Sequence, residues 1–174
     1  MKKKKFLYFL IALYLVGCNG VYKYDNEKAV EYITEHKEQK SKCMCAWYSM
    51  KAIRNGGCYN CYIYPAYSYN KMLVQLGFKE VFNGGNYTPL KGDISVLPRN
   101  SHSVFGHIAI YNGEKWISDF EQKSIFPGKA YSEKGEYQIY RINDGWHYAN
   151  VYISPLDFIQ YVNTLLKGIN KIKW

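Results

Sequence analysis

Hydrophobic residues recur with two different periods along the chain, and the change falls near residue 92. Before that point they follow helical spacing in three stretches. The predicted helices begin near Glu27 behind a cap at Asp25 or Asn26, cover residues 44–55 with Ser41 as a candidate cap, and cover residues 66–76. Glycines follow the second and third helices, and glycine tolerates the left-handed conformation that ends a helix.

Beyond residue 92 the apolar residues form short runs bounded by turn residues, which is typical of β-strands. The predicted strands are residues 94–97, 107–111, 115–120 and 137–142. The second and third of these strands form a hairpin around Asn112-Gly113. Residues 155–169 are predicted as a terminal amphipathic helix. Helices followed by an antiparallel sheet predict one α+β domain over residues 26–174.

The N-terminus has the layout of a secretion signal. Four lysines at positions 2–5 precede an apolar run from Phe6 to Val16, which is short for a membrane span. The run ends Leu15-Val16-Gly17-Cys18, which is similar to a bacterial lipobox. We therefore expect a lipoprotein signal peptide at residues 1–17, a lipidated Cys18 and a tether over residues 18–25. An ordinary signal or anchor with an unrelated cysteine is the alternative.

Removal of the expected signal peptide lowers the net charge of the protein. The 174-residue chain has 23 basic and 14 acidic residues and a formal charge of +9. Removing residues 1–17 takes away four basic residues and no acidic one, which leaves +5. No cationic run interleaves with aromatic residues as in RNA-binding strands. We expect no nucleic-acid partner, and we place the protein in the cell envelope, anchored to a membrane on its periplasmic or extracellular face.

Five cysteines allow three kinds of chemistry. If Cys18 carries lipid, Cys43, Cys45, Cys58 and Cys61 remain. They could form a zinc site, although one residue between Cys43 and Cys45 is fewer than zinc sites favour. They could form disulfides, the default in an exported protein. Alternatively Cys45 is a nucleophile, because free N–H groups and the helix dipole at its first-turn position would lower the pKa of the thiol.

The sequence from Cys45 onwards, CAWYSMKAIRNGG, resembles the nucleophile helix of CHAP amidases, a papain-like group that includes the NlpC-type peptidases. The resemblance spans residues 29–122. It continues in the helix at residues 66–78, in the approach to the first strand at residues 89–94, and in Gly106-His107-Ile108-Ala109-Ile110-Tyr111. Cys43 stands where the family has a glycine, and Ser49 and Met50 stand where a valine and an arginine are usual.

This resemblance implies a papain-like fold of N-terminal helices packed on an antiparallel sheet, with Cys45 as nucleophile and His107 as general base. It implies Asp119 as the residue that orients the imidazole, with Gln122 as a nearby polar alternative. A two-residue turn in the hairpin would pair His107 with Ser118, and a three-residue loop would pair it with Asp119.

The expected activity is that of a cysteine amidase or peptidase that needs no cofactor and no metal. Its expected partners are peptidoglycan, cut at the muramoyl–alanine amide or within the stem peptide, and a membrane reached through lipidated Cys18. The alternatives are a non-catalytic lipoprotein that keeps the fold as a binding module, and a small structural zinc protein.

Overall fold

The computed structural model describes residues 18–59, 65–82, 87–101 and 103–151. The predicted signal peptide at residues 1–17, Cys61 and the predicted terminal helix at residues 155–169 lie outside the described residues. Within the described ranges no helix is long and apolar enough to cross a membrane.

Capping and apolar periodicity explain the helices. Helix α1 spans Asn26–Glu35, and the Asp25 carboxylate caps it by accepting the Lys28 N–H at 3.1 Å. Helix α2 spans Cys45–Asn55 and buries Ser49, Met50, Ala52 and Ile53. Gly57 follows it in the left-handed region, with φ of 107°. The remaining helical elements are a 3-10 turn at Ala66–Ser68, helix α3 at Tyr69–Gln75 and helix α4 at Lys129–Ser132.

Eight strands form two antiparallel sheets in the described residues, so the α+β prediction is confirmed. The strands are β1 at Cys18–Tyr24, β2 at Lys79–Phe82, β3 at Ile94–Leu97, β4 at His107–Tyr111, β5 at Trp116–Ile117, β6 at Glu121–Gln122, β7 at Gln138–Arg141 and β8 at Gly145–Val151. The larger sheet has the order β2-β7-β3-β4-β5-β6. Helix α2 packs on the central strand β4, and their contact buries Ile53 and Ile108.

The hairpin between β4 and β5 has a longer loop than either predicted register. Ile110 pairs with Ile117 and Tyr111 pairs with Trp116, so four residues connect the strands. The Asn112 side chain accepts hydrogen bonds from two N–H groups of this loop and stabilises it. Strand β5 also ends at Ile117, because the chain bends over the next two residues. The predicted pairing of His107 with Ser118 or Asp119 is therefore wrong.

Residues 18–24 form a strand rather than the predicted flexible tether. All seven residues of β1 pair with β8, from Cys18 opposite Val151 to Tyr24 opposite Gly145. The inward side chains Tyr22 and Tyr24 are buried in the main core. The tether prediction failed because the pairing partner lies at the far end of the chain, where a local sequence pattern gives no sign of it.

Candidate functional site

Helix α2 and strand β4 bring Cys45 and His107 to the same place. Cys45 opens α2, and its sulfur accepts hydrogen bonds from the backbone N–H groups of Ile108 and Ala46. Ile108 follows His107 directly on β4. Gly106 makes this approach to β4 achievable, because its φ is 69° and a Cβ there would lie 2.5 Å from the Leu97 carbonyl oxygen. Cys45 therefore contacts the backbone of the residue that directly follows His107.

Gln122 is the side chain that contacts the imidazole. The His107 side chain is buried, and its Nε2 lies 2.7 Å from the Gln122 amide nitrogen. That nitrogen also donates to the Ser118 hydroxyl at 3.1 Å, whereas the amide oxygen has no partner among the described residues. Since Nε2 is occupied, Nδ1 is the ring nitrogen left for proton transfer. A half-turn of the amide would present its oxygen to an Nε2–H and fix that tautomer.

Asp119, predicted to orient the imidazole, binds the loop before the nucleophile instead. The carboxylate is fully buried in the bend after β5. Its Oδ2 accepts hydrogen bonds from the Lys42 N–H at 2.5 Å, the Ser41 hydroxyl at 3.1 Å and the Met44 N–H at 3.2 Å. Its Oδ1 accepts the Ser118 hydroxyl at 3.1 Å. The carboxylate thus takes the capping role that the sequence suggested for Ser41, since the Met44 cap of α2 has no side-chain bond of its own.

Burial favours the neutral forms of Cys45 and His107. Desolvation raises the pKa of the Cys45 thiol to about 12, and the nearby Asp119 charge raises it further, although two backbone N–H groups oppose both effects. Desolvation lowers the pKa of His107 to about 4, against a smaller opposing effect of the Asp119 charge. The expectation that the helix start lowers the pKa of Cys45 was therefore wrong, because burial outweighs the helix dipole.

Tyr131 on α4 is a site residue that the sequence analysis missed. Its ring centroid lies 5.9 Å from that of His107. Its pKa is raised mainly by burial, against the opposing effect of the Ser103 side chain, and a thiolate at Cys45 would raise it further. The hydroxyl lies near Ser103 but has no partner of normal hydrogen-bond geometry among the described residues. Residues 129–132 carry no motif in the sequence that would have pointed to the site.

A pocket of about 270 Å³ opens between α1 and the outer face of α2. Six residues line it: Tyr32, His36, Glu38, Trp47, Tyr48 and Lys51. Lys51 Nζ lies 5.0 Å from the centroid of the Trp47 ring, and Glu38 accepts a hydrogen bond from the Tyr48 hydroxyl at 2.7 Å. The pocket therefore combines aromatic faces with one cation and one carboxylate.

The remaining cysteines lie at different depths. Cys43 is exposed, carries a free thiol, and has a φ of 59°, which explains why the CHAP family has a glycine at that position. Cys58 is buried in the core. Cys45 also carries a free thiol.

The described residues contain no group of three or more His, Cys, Asp and Glu side chains arranged to hold a metal ion.

The α+β fold, with a cysteine at the start of a helix against a histidine on the adjoining antiparallel strand, places the protein in the papain-like class. No protein-family model matches the sequence, and no curated protein matches it. Solved structures do match. The crystal structure of the type VI native effector–immunity complex Tae3–Tai3 from Ralstonia pickettii contains a chain 34% identical to this one, with a TM-score of 0.60.

That match covers 69% of this chain and 100% of the other. The selenomethionine structure of the same complex matches at 32% identity and a TM-score of 0.56, with 66% of this chain and 99% of the other covered. The protein therefore belongs to the family of the effector Tae3.

Proposed function

We propose that the protein is a lipid-anchored cell-wall hydrolase that cleaves an amide or peptide bond in peptidoglycan, with Cys45 as nucleophile and His107 as base. The observation that carries the proposal is the contact of Cys45, at the start of α2, with the backbone of Ile108, which follows His107 on β4. Membership of the Tae3 family supports the substrate. An effector that is matched by an immunity protein acts on a target that its producer also carries, and peptidoglycan is such a target.

The reaction starts from neutral groups. With the Gln122 amide turned so that its oxygen accepts the Nε2–H, Nδ1 carries no proton, and it takes the thiol proton as the sulfur attacks the substrate carbonyl carbon. The resulting imidazolium gives that proton to the leaving amine as the C–N bond breaks, and an acyl-enzyme remains. Water then attacks the thioester with His107 again as base, which releases the acid and restores the thiol. Gln122 fixes the ring through Nε2, and Asp119 holds the loop that leads to Cys45.

Two donors would stabilise the oxyanion of this reaction. The first is the backbone N–H of Cys45 at the start of α2, where helical N–H groups have no intrahelical partner. The second is the Tyr131 hydroxyl, which is buried near Cys45 without a partner among the described residues. A substrate carbonyl oxygen would provide the partner that this hydroxyl lacks.

The pocket beside α2 is a candidate subsite for the stem peptide. Stem peptides carry free carboxylates and, in many bacteria, a free amine on the third residue. Lys51 and Glu38 offer one charge of each sign, and Trp47 offers an aromatic face to aliphatic groups. This assignment is the part of the proposal that specifies which side of Cys45 the acyl half of the substrate occupies.

The anchor is part of the proposal. Lipidation of Cys18 would attach the lipid at the first residue of β1, with no flexible linker before the folded domain. The active site would then work within the short distance from the membrane that the domain itself spans.

Digestion of isolated sacculi tests the proposed activity. We expect the protein to release soluble muropeptides whose masses assign the bond, and we expect Cys45→Ala to release none. Cys43→Ala is the matched control, because it removes an exposed thiol two residues away and should retain activity. Equal products from the parent protein and Cys45→Ala would refute catalysis by Cys45.

A binding module is the second candidate, and the raised pKa of Cys45 is the observation that favours it. A thiol that stays protonated could serve packing alone. The two functions separate in one assay: a binding module would sediment with sacculi and release nothing, whereas the hydrolase would release product.

A further inference from the structure

The two-stranded sheet of β1 and β8, called the ribbon below, has one face turned to the core and one to solvent. The solvent face carries large apolar side chains. Trp146 is 72% exposed, Val21 67% and Tyr148 59%. Val21 lies directly opposite Tyr148 across the two strands, and Trp146 lies opposite Lys23. These side chains therefore form one continuous patch. Such a patch calls for an explanation, whereas a single exposed apolar side chain does not.

The chemistry of this face fits the interface of a lipid bilayer. Tryptophan and tyrosine are enriched at membrane–water interfaces, where one end of the ring is apolar and the other is hydrated. Lys23 adds a cation suited to anionic headgroups, and the two strands contain no carboxylate. The nearest acidic side chains, Asp25 and Asp144, follow β1 and precede β8 at the end of the ribbon away from Cys18.

The chain outside the ribbon also leads to a membrane. Cys18 and Val151 are paired at the same end of the ribbon. The apolar run of residues 6–16 joins the ribbon at this end, whether it is removed when Cys18 is lipidated or kept as an anchor. Either attachment would hold this end of the ribbon at the membrane.

The ribbon contacts the end of α2 that is remote from Cys45. Tyr24 at the end of β1 packs against Gly56, the C-terminal cap of α2, and the Asp25 N–H donates to the Gly56 carbonyl at 2.9 Å. Cys45 lies at the opposite end of α2, which is about 16 Å long at 1.5 Å per residue. The candidate site is therefore separated from this contact by the length of the helix.

We propose that the solvent face of the ribbon, formed by Val21, Lys23, Trp146 and Tyr148, binds flat on an anionic lipid bilayer and orients the active site towards the cell wall. The proposal extends the lipid anchor proposed above and does not depend on the catalytic assignment. It commits to lipid as the occupant of this face.

Vesicle binding by the unlipidated protein tests it. Residues 18–174 with Cys18→Ser are mixed with vesicles of phosphatidylethanolamine and phosphatidylglycerol, and bound protein is measured by co-sedimentation. We expect the double variant Trp146→Thr/Tyr148→Thr to bind at least about tenfold more weakly. The matched control Val81→Thr/Leu90→Thr removes exposed apolar side chains elsewhere and should bind like the parent. Brominated lipids should quench the fluorescence of Trp146, and this quenching should be lost in Trp146→Phe.

Four results would overturn the proposal. The parent could fail to bind vesicles, or both double variants could bind equally well. Alternatively, vesicle binding could appear only after residues 152–174 are removed, or the parent could be a dimer that Trp146→Thr/Tyr148→Thr dissociates. The face would then belong to the C-terminal segment or to a second copy. Digestion of sacculi by Trp146→Thr/Tyr148→Thr at the parental rate would show that the fold of this variant is intact. The same assay separates failure of the membrane-binding proposal from failure of the proposed catalysis.

Discussion

At the scale of single residues, the contact between Gln122 and His107 decides how the base is oriented. Gln122 is almost fully buried and touches Nε2, so its loss should leave the ring free to turn. We expect Gln122→Ala to lower kcat by about 10- to 100-fold, the usual cost of losing a partner that orients a functional histidine. The KM should change little. The measurement is the rate of muropeptide release at several substrate concentrations.

The pH profile separates positioning from mere packing. Gln122→Glu would place a carboxylate beside the imidazole and raise the pKa of His107 from its low value. The acid limb of kcat/KM should therefore move to higher pH in Gln122→Glu. A profile identical to the parent would contradict the role of Gln122.

Tyr131 should contribute to catalysis only when a substrate carbonyl is bound. We expect Tyr131→Phe to lower kcat by about 100-fold with little change in KM, because an oxyanion donor acts on the transition state. Tyr137→Phe, a hydroxyl deletion in the second cluster of buried residues, is the control and should retain activity. Full activity of Tyr131→Phe would remove the residue from the oxyanion site.

At the scale of elements, the loop before α2 is held in a strained conformation. Cys43 has a φ of 59°, which costs about 1 kcal/mol for a residue with a side chain. We expect Cys43→Gly to raise the free energy of unfolding by a few tenths to about 1 kcal/mol and to keep activity. Cys43→Ala keeps the Cβ and should give no gain, which denaturant unfolding of the two variants would show.

Asp119 opposes this strain by binding the same loop. Its Oδ2 accepts three hydrogen bonds from residues 41–44. Asp119→Ala would leave buried N–H groups unsatisfied, and we expect a loss of about 3 kcal/mol in the free energy of unfolding together with loss of activity. If Asp119→Ala unfolds like the parent and only its activity falls, Asp119 acts on the imidazole, as the sequence first suggested.

The elements also show what the sequence could predict. Helices α1 and α2 could be placed within one or two residues, because Asp25 and the Gly56-Gly57 pair mark their ends locally. The register of the β4–β5 hairpin could not be predicted, because the Asn112 side chain accepts hydrogen bonds from two backbone N–H groups and stabilises a longer loop. Strand β1 was missed because its partner β8 is distant in sequence. The Cys45–His107 hypothesis rests on family resemblance, whereas the position of Tyr131 depends on tertiary packing alone.

At the scale of the whole molecule, the burial of His107 should make stability depend on pH. The pKa of His107 is about 4 in the folded protein and about 6.5 in an unfolded chain. Between these values the unfolded state binds one more proton, so acidification favours unfolding. We expect the free energy of unfolding to fall by roughly 1 kcal/mol per pH unit from this residue between pH 6.5 and 4. Denaturant unfolding at pH 7 and at pH 5 measures the change.

The matched variant is His107→Gln, which fills the site with a group that does not titrate. Carboxylates contribute to acid unfolding in both proteins, so the difference between the two slopes isolates His107. The parent should lose more stability than His107→Gln between pH 7 and pH 5. Equal losses would mean that the imidazole is protonated as easily in the folded protein as in the unfolded chain. The lowered pKa of His107 in the folded protein would then be wrong.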